Sequence, residues 1–330
     1  MDFGKLLSAS VIAITALAPG FAQAGDKVNL ILNWVTAGAH APIYYADKHG
    51  WFDEAGLDVN IEQGKGSTLA AQKVGIGASD AGIADLGTSM VAKGAGANLV
   101  AVMNIFANSP YQMYWLKSSG IAGIQDFVGK KLGNPPADAA RAMWPAVAIA
   151  QGMEPDSVDW VNIAPNAKVS SLKSGAIDGT TFFANYHYIM EGAFGDDLGW
   201  VAWRDLGLNP YGNSIIVNGD FLAENEDTVA RLVGVLQKAY RYCVDNGEEC
   251  VDVLPEYASG LKPEREIHNW NAVVQLMTDE TSQSKGLGYF DEARIADDLE
   301  LVETYFDVKE KYAVEDIYTN RFVDGSVTMP

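Results

Sequence analysis

The residues able to do chemistry are sparse and scattered. Four histidines and two cysteines stand among 330 residues. No two histidines have metal-ligand spacing, and neither a G-x-S-x-G elbow nor an H-E-x-x-H pair occurs. Carboxylates abound, 43 Asp and Glu against 23 Lys and Arg, but in so acidic a chain a pair of them carries no information. No catalytic residue, metal ligand or cofactor site is assigned. What recurs is the chemistry of holding a small molecule. Polar and aromatic stretches stand where strands hand over to helices: Asn33-Trp34 through His40, Gly66-Ser67, Asp85 through Thr88 to Ser89, Asn108 to Tyr111, Asn134 to Arg141, and Asn185-Tyr186-His187. In open α/β sheets, ligands bind at such junctions, beside free helix N–H groups. Trp34, Tyr111 and Tyr186 offer stacking area with a polar edge, which suits a flat aromatic ligand. Each aromatic taken singly is more often plain core; the set points to a site.

These junctions need a strand–helix scaffold, and the chain supplies one. Val28 to Leu32 alternates as a strand, and Ile43 to Gly50 reads as a short helix with Pro42 in its first turn. Asp58 to Glu62 is a second strand, and Ser67 is placed to cap the helix that follows. Ala81 to Ala84 and Leu99 to Ile105 are further strands, separated by a helix at Met90 to Lys93. This rhythm predicts parallel strands with helices on both faces. Tyr111 to Leu116 reads as a strand crossing into a second lobe. There Asp138 is an N-cap for a helix through Ala150 that Pro145 should kink or restart. Strands at Val158 to Ile163 and Ile177 to Phe183 flank a helix at Lys168 to Lys173. Tyr211 to Val217 could return the chain to the first lobe. Helices follow at Thr228 to Asp245, Pro263 to Met277 and Asp291 to Phe306, with apolar residues at three- and four-residue spacing.

Bulk properties narrow the class. Lys5, the apolar run Leu6 to Ala18 and Ala22-Gln23-Ala24 read as a secretory signal over residues 1–24. The run is too short to span a membrane, and no later segment qualifies. A soluble, monomeric, periplasmic protein is expected. The net charge of −20 argues against nucleic acid and against anionic lipid as partners. The mature length suggests two lobes, with boundaries 25–113 and 211–330 for the first and 114–210 for the second. Cys243 and Cys250 would lie about 10 Å apart along a continuous helix, beyond the roughly 7 Å reach of a disulfide. Asn246-Gly247 between them can turn the chain back. In an oxidising compartment a structural disulfide is expected.

A family resemblance completes this reading. The matching residues are Asn33-Trp34, His40-x-Pro42, Ala46-x-x-x-Gly50-Trp51-Phe52-x-x-x-Gly56-Leu57-x-Val59, Gly66-Ser67, Gly82-Ile83-Ala84-Asp85, Gly129-Lys130-Lys131-Leu132-Gly133 and Leu172-x-x-Gly175-x-Ile177-Asp178. With these the chain resembles the periplasmic substrate-binding proteins of nitrate/sulfonate/taurine-type ABC importers. Within them it is most similar to the branch of thiamine-pyrimidine precursor binding proteins and yeast-type hydroxymethylpyrimidine phosphate synthases. The resemblance implies an α/β, type II two-lobed binding protein with two hinge-crossing strands, closing on its ligand and delivering it to an inner-membrane ABC permease. It implies that Asn33, Trp34, His40, Gly66, Ser67 and the Asp85–Ser89 turn line one wall, and Asn134 to Arg141 and Asn185 to His187 the other. Synthases carry a lysine and a histidine on the turn after the Gly82-Ile83 strand, and a cysteine-rich motif. Here those positions read Ala84 and Thr88, so the likeness is to the transport members. Pyrimidine binders place a glutamate near the position of His187; a carboxylate accepts two hydrogen bonds from an aminopyrimidine edge, which an imidazole cannot. The expected ligand is a thiamine-type pyrimidine, with an organosulfonate, nitrate or carboxylate held by Arg141 as the alternative.

Overall fold

A computed structural model describes Met1 and residues 25–330, so the expected signal segment lies, beyond Met1, outside the described residues. The first lobe opens with β1 (Asp26–Ile31), β2 (Leu57–Glu62), β3 (Ala81–Asp85) and β4 (Leu99–Asn104). The chain then crosses to β5 (Tyr111–Leu116), β6 (Lys131–Asn134), β7 (Asp159–Asn162), β8 (Gly179–Phe183) and β9 (Leu198–Ala202), and returns as β10 (Asn213–Asn218). Two five-stranded sheets result, in the orders β2-β1-β3-β10-β4 and β7-β6-β8-β5-β9.

The two sheets obey one rule. In each, four strands run parallel to one another, and the fifth arrives from the other lobe to pair antiparallel on both its sides. The strands read as parallel in the first lobe, β1 to β4, are parallel; the antiparallel members are the crossing strands, because a strand that has crossed between lobes enters its new sheet from the opposite end. β9, which sequence patterning does not reveal, pairs with β5 from Leu198 to Ala202. Its Gly199 weakens any strand signal but is required, because a Cβ there would lie 2.2 Å from the Trp115 indole nitrogen.

Helices pack on both faces. The Glu226–Asp245 helix buries Val229, Leu232, Val233, Leu236, Ala239, Tyr240 and Cys243 at three- and four-residue spacing. Its Arg231 pairs with Asp26 and donates to the carbonyls of Ala55 and Gly56 at 2.8 and 3.0 Å, fixing it against β1 and the start of β2. The helix ends at Asp245, and a new one begins at Gly247. That break lets Cys243 and Cys250 form a disulfide with Cα atoms 5.8 Å apart. Pro145 falls in the first turn of Trp144–Ala150, a restart after the short Ala139–Ala142 helix. The Met90–Lys93 helix begins earlier than its apolar pattern suggests, at Leu86, because Asp85 caps it by accepting from the Thr88 amide.

The crossing segments are bonded to each other. The amides of Ile105 and Phe106 both donate to the Asn213 carbonyl, and Gly212 donates to Phe106 at 2.9 Å. The Glu292–Tyr305 helix clamps both. Arg294 donates to the carbonyls of Ala107 and Asn209 and lies over the Tyr211 ring, while Asp298 accepts from the Tyr211 amide at 3.0 Å. Among the described residues no helix is long and apolar enough to cross a membrane.

The disulfide closes a short loop between two fully buried cysteines, with a sequence separation of 7. Chain-entropy reasoning gives it about 2.5 kcal/mol of stability. Replacing both cysteines by alanine should lower the calorimetric melting temperature by about 5 °C, and an unchanged midpoint would show that the bridge does not constrain the unfolded chain.

Candidate functional site

The candidate site is the cleft between the two sheets, and its first wall is the loop from β1 to the Ala41–Lys48 helix. That loop is locked through His40. The Ala37 amide donates to its Nδ1 at 3.2 Å, so the ring proton sits on Nε2, which donates to Asn33 Oδ1 at 3.0 Å. Asn33 in turn donates to Asn213 Oδ1 at 3.4 Å, tying the loop to β10. Burial pushes the His40 pKa down to about 4, which keeps the ring neutral. The loop amides are held from behind by the Pro263–Met277 helix: Gly38 donates to Glu266 at 2.7 Å and Ala39 to Asn269 at 2.8 Å.

Gly66 closes the gap. Its φ of +137° suits only glycine, and a Cβ would sit 2.0 Å from the Ala137 carbonyl oxygen of the other lobe. Gly66 itself occupies the N-cap position of the Ser67–Gly75 helix, so Ser67 is the first helical residue and not the cap the sequence suggests. The Thr68 amide donates across the gap to Ala137 at 3.3 Å. The second wall brings Asp138, Lys168, Phe182, Phe183, Asn185 and Tyr186 to face Asn33, Trp34, His40, Ser67 and Asn213. The cavity between them is about 30 Å³, room for about one water. The lobes are therefore drawn together, leaving no room for a ring-sized guest.

The expected site residues divide into two groups. Asn33, Trp34, His40, Ser67, Asn185 and Tyr186 line the cleft, with Gly66 at its lip. The others stand behind it or away from it. Asp85 accepts from the Thr88 amide and hydroxyl at 2.9 and 3.1 Å; burial pushes its pKa up to about 6, opposed by the Tyr111 hydroxyl and by Thr88. Tyr111 is buried at the crossing, its ring 4.7 Å from that of Trp203. Asn108 donates to the Thr278 carbonyl at 3.0 Å. Asn134 turns into the second sheet, donating to Thr181 Oγ1. Arg141 donates to Asn162 at 2.6 Å and lies over Trp160, on the flank of its lobe. His187 bonds the Tyr114 hydroxyl at 3.1 Å and lines a separate groove with Trp200, Arg204 and His268.

The stretch Asn134 to Arg141 brings Asp138 to the cleft, whereas Lys168, Phe182 and Asn213 line it without any signal in the sequence. Asp138 does cap its helix, accepting from Ala140 and Arg141, but it also pairs with Lys168 at 2.6 Å. Lys168 and Phe182 read as ordinary helix and strand residues, with no local motif to set them apart. Asn269 reads as one polar residue on an amphipathic helix; it accepts from Asn185 at 3.1 Å and so joins the two walls. Among the described residues no group of three or more His, Cys, Asp or Glu is placed to hold a metal ion.

Comparison with known proteins agrees with this geometry. Two α/β lobes joined by two crossing segments define the periplasmic binding protein fold. A Bordetella bronchiseptica structure matches with a TM-score of 0.74 at 21% identity, covering 91% of this chain and 96% of its own. The alkanesulfonate-binding protein of Xanthomonas axonopodis pv. citri, solved with MOPS bound, matches with a TM-score of 0.67 at 14% identity, covering 90% and 99%. The family described as NMT1/THI5 like matches residues 37–250, and the chain belongs to it. Among curated relatives, a 4-amino-5-hydroxymethyl-2-methylpyrimidine phosphate synthase of Legionella pneumophila is 22% identical over 90% of this chain and 92% of its own. The formylaminopyrimidine-binding protein of Halalkalibacterium halodurans is 22% identical over 70% and 71%.

The neutral His40 has a pH signature. Its folded pKa, about 4, lies below the ordinary 6.5, so the unfolded chain binds the extra proton between those values. The stability this gives is complete above the ordinary value and is lost as pH falls toward 4. Raised carboxyls such as Asp85 and Asp298 act in the opposite sense, so the comparison is made against His40→Gln. The stability difference between wild type and variant should move by about 3 kcal/mol against the wild type between neutral pH and pH 4. Denaturant titration measures it, and a difference independent of pH would contradict the buried neutral ring.

Proposed function

We propose that this chain is the solute receptor of an ABC importer, binding a small planar heterocycle such as a thiamine-type pyrimidine precursor in the inter-lobe cleft. The observation that carries the reading is the slot itself: Trp34 from one lobe and Phe182 and Tyr186 from the other, edged by the side-chain amides of Asn33, Asn185 and Asn213. Aromatic faces supply stacking area, and amides fix orientation through paired hydrogen bonds. The relative named for formylaminopyrimidine binding supports this ligand class.

The mature chain, after loss of residues 1–24, works in the periplasm as a monomer, with lobe limits at 25–113, 114–210 and 211–330. It requires no cofactor or metal. Ligand binding closes the lobes, and the closed form is what the inner-membrane permease recognises. A synthase role is disfavoured because Ala84, inside β3, and Thr88, in the first turn of the helix that follows, stand where the synthase branch has lysine and histidine. The anion reading is weakened by Arg141, the cation on which it relied, since that guanidinium is engaged by Asn162 and Trp160.

Trp34→Ala should weaken binding of 4-amino-5-hydroxymethyl-2-methylpyrimidine by about 1–3 kcal/mol in a folded variant. Isothermal titration measures this, alongside a panel of sulfonates, nitrate and aromatic carboxylates. Unchanged pyrimidine affinity would remove Trp34 from the stacking role, and tight binding of the anions alone would replace the heterocycle reading.

A further inference from the structure

Lys168 begins the Lys168–Lys173 helix, and its side chain is 1% exposed. Its ammonium donates to Asp138 Oδ2 at 2.6 Å and to the Thr181 carbonyl at 2.7 Å. Of its three hydrogens, one has no protein acceptor among the described residues. The same nitrogen lies 4.5 Å from the centre of the Phe182 ring and 5.1 Å from that of Trp34, so it faces aromatic surface from both lobes. Asp138 is equally committed. One oxygen takes Lys168, and the other takes the amides of Ala140 and Arg141. Burial pulls the Lys168 pKa below the usual lysine range, and the Asp138 carboxylate opposes that pull.

Among the described residues lining the cleft, only these two are acidic or basic besides His40, which is neutral. Their charges cancel. A third polar group is unfinished: Asn185 Oδ1 is buried in the cleft wall without a hydrogen-bond partner. It is an acceptor awaiting a donor.

We infer that Lys168 and Asp138 are the specificity determinants of the cleft, selecting a ligand of no net charge that offers an acceptor atom to Lys168 and an N–H donor to Asn185. A sulfonate, nitrate or carboxylate would enter beside the Asp138 carboxylate, where burial screens repulsion weakly. A second carboxyl stands behind, since Asp85 is close enough to Asp138 for that charge to help raise its pKa. A cation would meet Lys168 instead. A neutral amino-substituted heteroaromatic ring avoids both conflicts, because its ring nitrogen accepts while its amino group donates. The inference rests on the cleft being the ligand site, as proposed above.

Asp138→Asn tests the pair directly, because an asparagine oxygen can still cap the helix while Lys168 loses its counter-charge. The probes are 4-amino-5-hydroxymethyl-2-methylpyrimidine and benzenesulfonate, compared by isothermal titration. The wild type should prefer the pyrimidine. In Asp138→Asn the preference should shift toward the sulfonate by at least about tenfold. The double variant Lys168→Met with Asp138→Asn has no uncompensated charge and should lose the gain in sulfonate affinity, returning it to within about threefold of wild type, while pyrimidine binding weakens with the loss of its donor; this keeps the test informative if the single variant folds poorly. A ratio unmoved in Asp138→Asn, a wild type that prefers the sulfonate, or a double variant that binds the sulfonate more than about tenfold tighter than wild type would overturn the inference while leaving the cleft as the site. Binding of neither probe to folded wild type would overturn the heterocycle reading itself.

Discussion

Each sheet is completed by a strand that arrives from the other lobe, and this exchange is the constraint on which the rest of the molecule depends. β10 lies between β3 and β4, and β5 lies between β8 and β9. Removing either would open a sheet through its interior and expose a row of unpaired amides and carbonyls. The two connecting segments are hydrogen-bonded to each other and held by Arg294, so the lobes share a short, well-defined junction. Under the proposed function, such a junction would serve as the hinge about which the lobes close. The carboxyl ends of β1, β3, β6 and β8 meet the cleft or its immediate support, so the topology that builds the hinge also aims the binding loops at one another.

The cleft is a polar site maintained inside a closed contact. His40 is kept neutral and spends both ring nitrogens on shaping its own loop. Glu266 and Asn269 hold that loop from a helix more than two hundred residues away in sequence. The remaining charge, Lys168 with Asp138, is balanced within one lobe. A buried ion pair is weak evidence for stability, since replacing both partners by well-packed apolar groups is often neutral or favourable. Its presence at the wall of the inter-lobe cleft fits the role in recognition proposed above. Under the proposed function, lobe closure would dry the pair and strengthen each interaction it makes, so the motion that traps a ligand would also sharpen its selection.

The sequence discloses the parts of this structure that are governed by local periodicity. The Pro263–Met277 helix is found with both ends correct, because proline at the start and a sustained apolar stripe leave little choice. Tyr111–Leu116 is likewise found whole. The direction of the crossing strands is not legible, because antiparallel pairing of β10 with β3 joins residues more than a hundred positions apart. The site is legible where a loop carries its own signature, as Asn33-Trp34 through His40 does. It is illegible where a single residue of an ordinary element is turned inward by tertiary packing. Lys168 looks like any helix lysine until β8 and Asp138 surround it, and Arg141 looks like a ligand for anions until Asn162 and Trp160 are found to hold it. Ser67 yields the cap to Gly66 because the opposite lobe presses on that residue, a contact no local pattern encodes.

The central claim is that the lobes close around a solute held in this cleft. Small-angle X-ray scattering of the mature protein, alone and saturated with 4-amino-5-hydroxymethyl-2-methylpyrimidine, tests it most directly. The ligand-bound curve should match that calculated from the closed structure, and the ligand-free protein should have a larger radius of gyration. Identical curves, recorded under conditions where titration shows the site to be filled, would contradict closure as the binding mechanism.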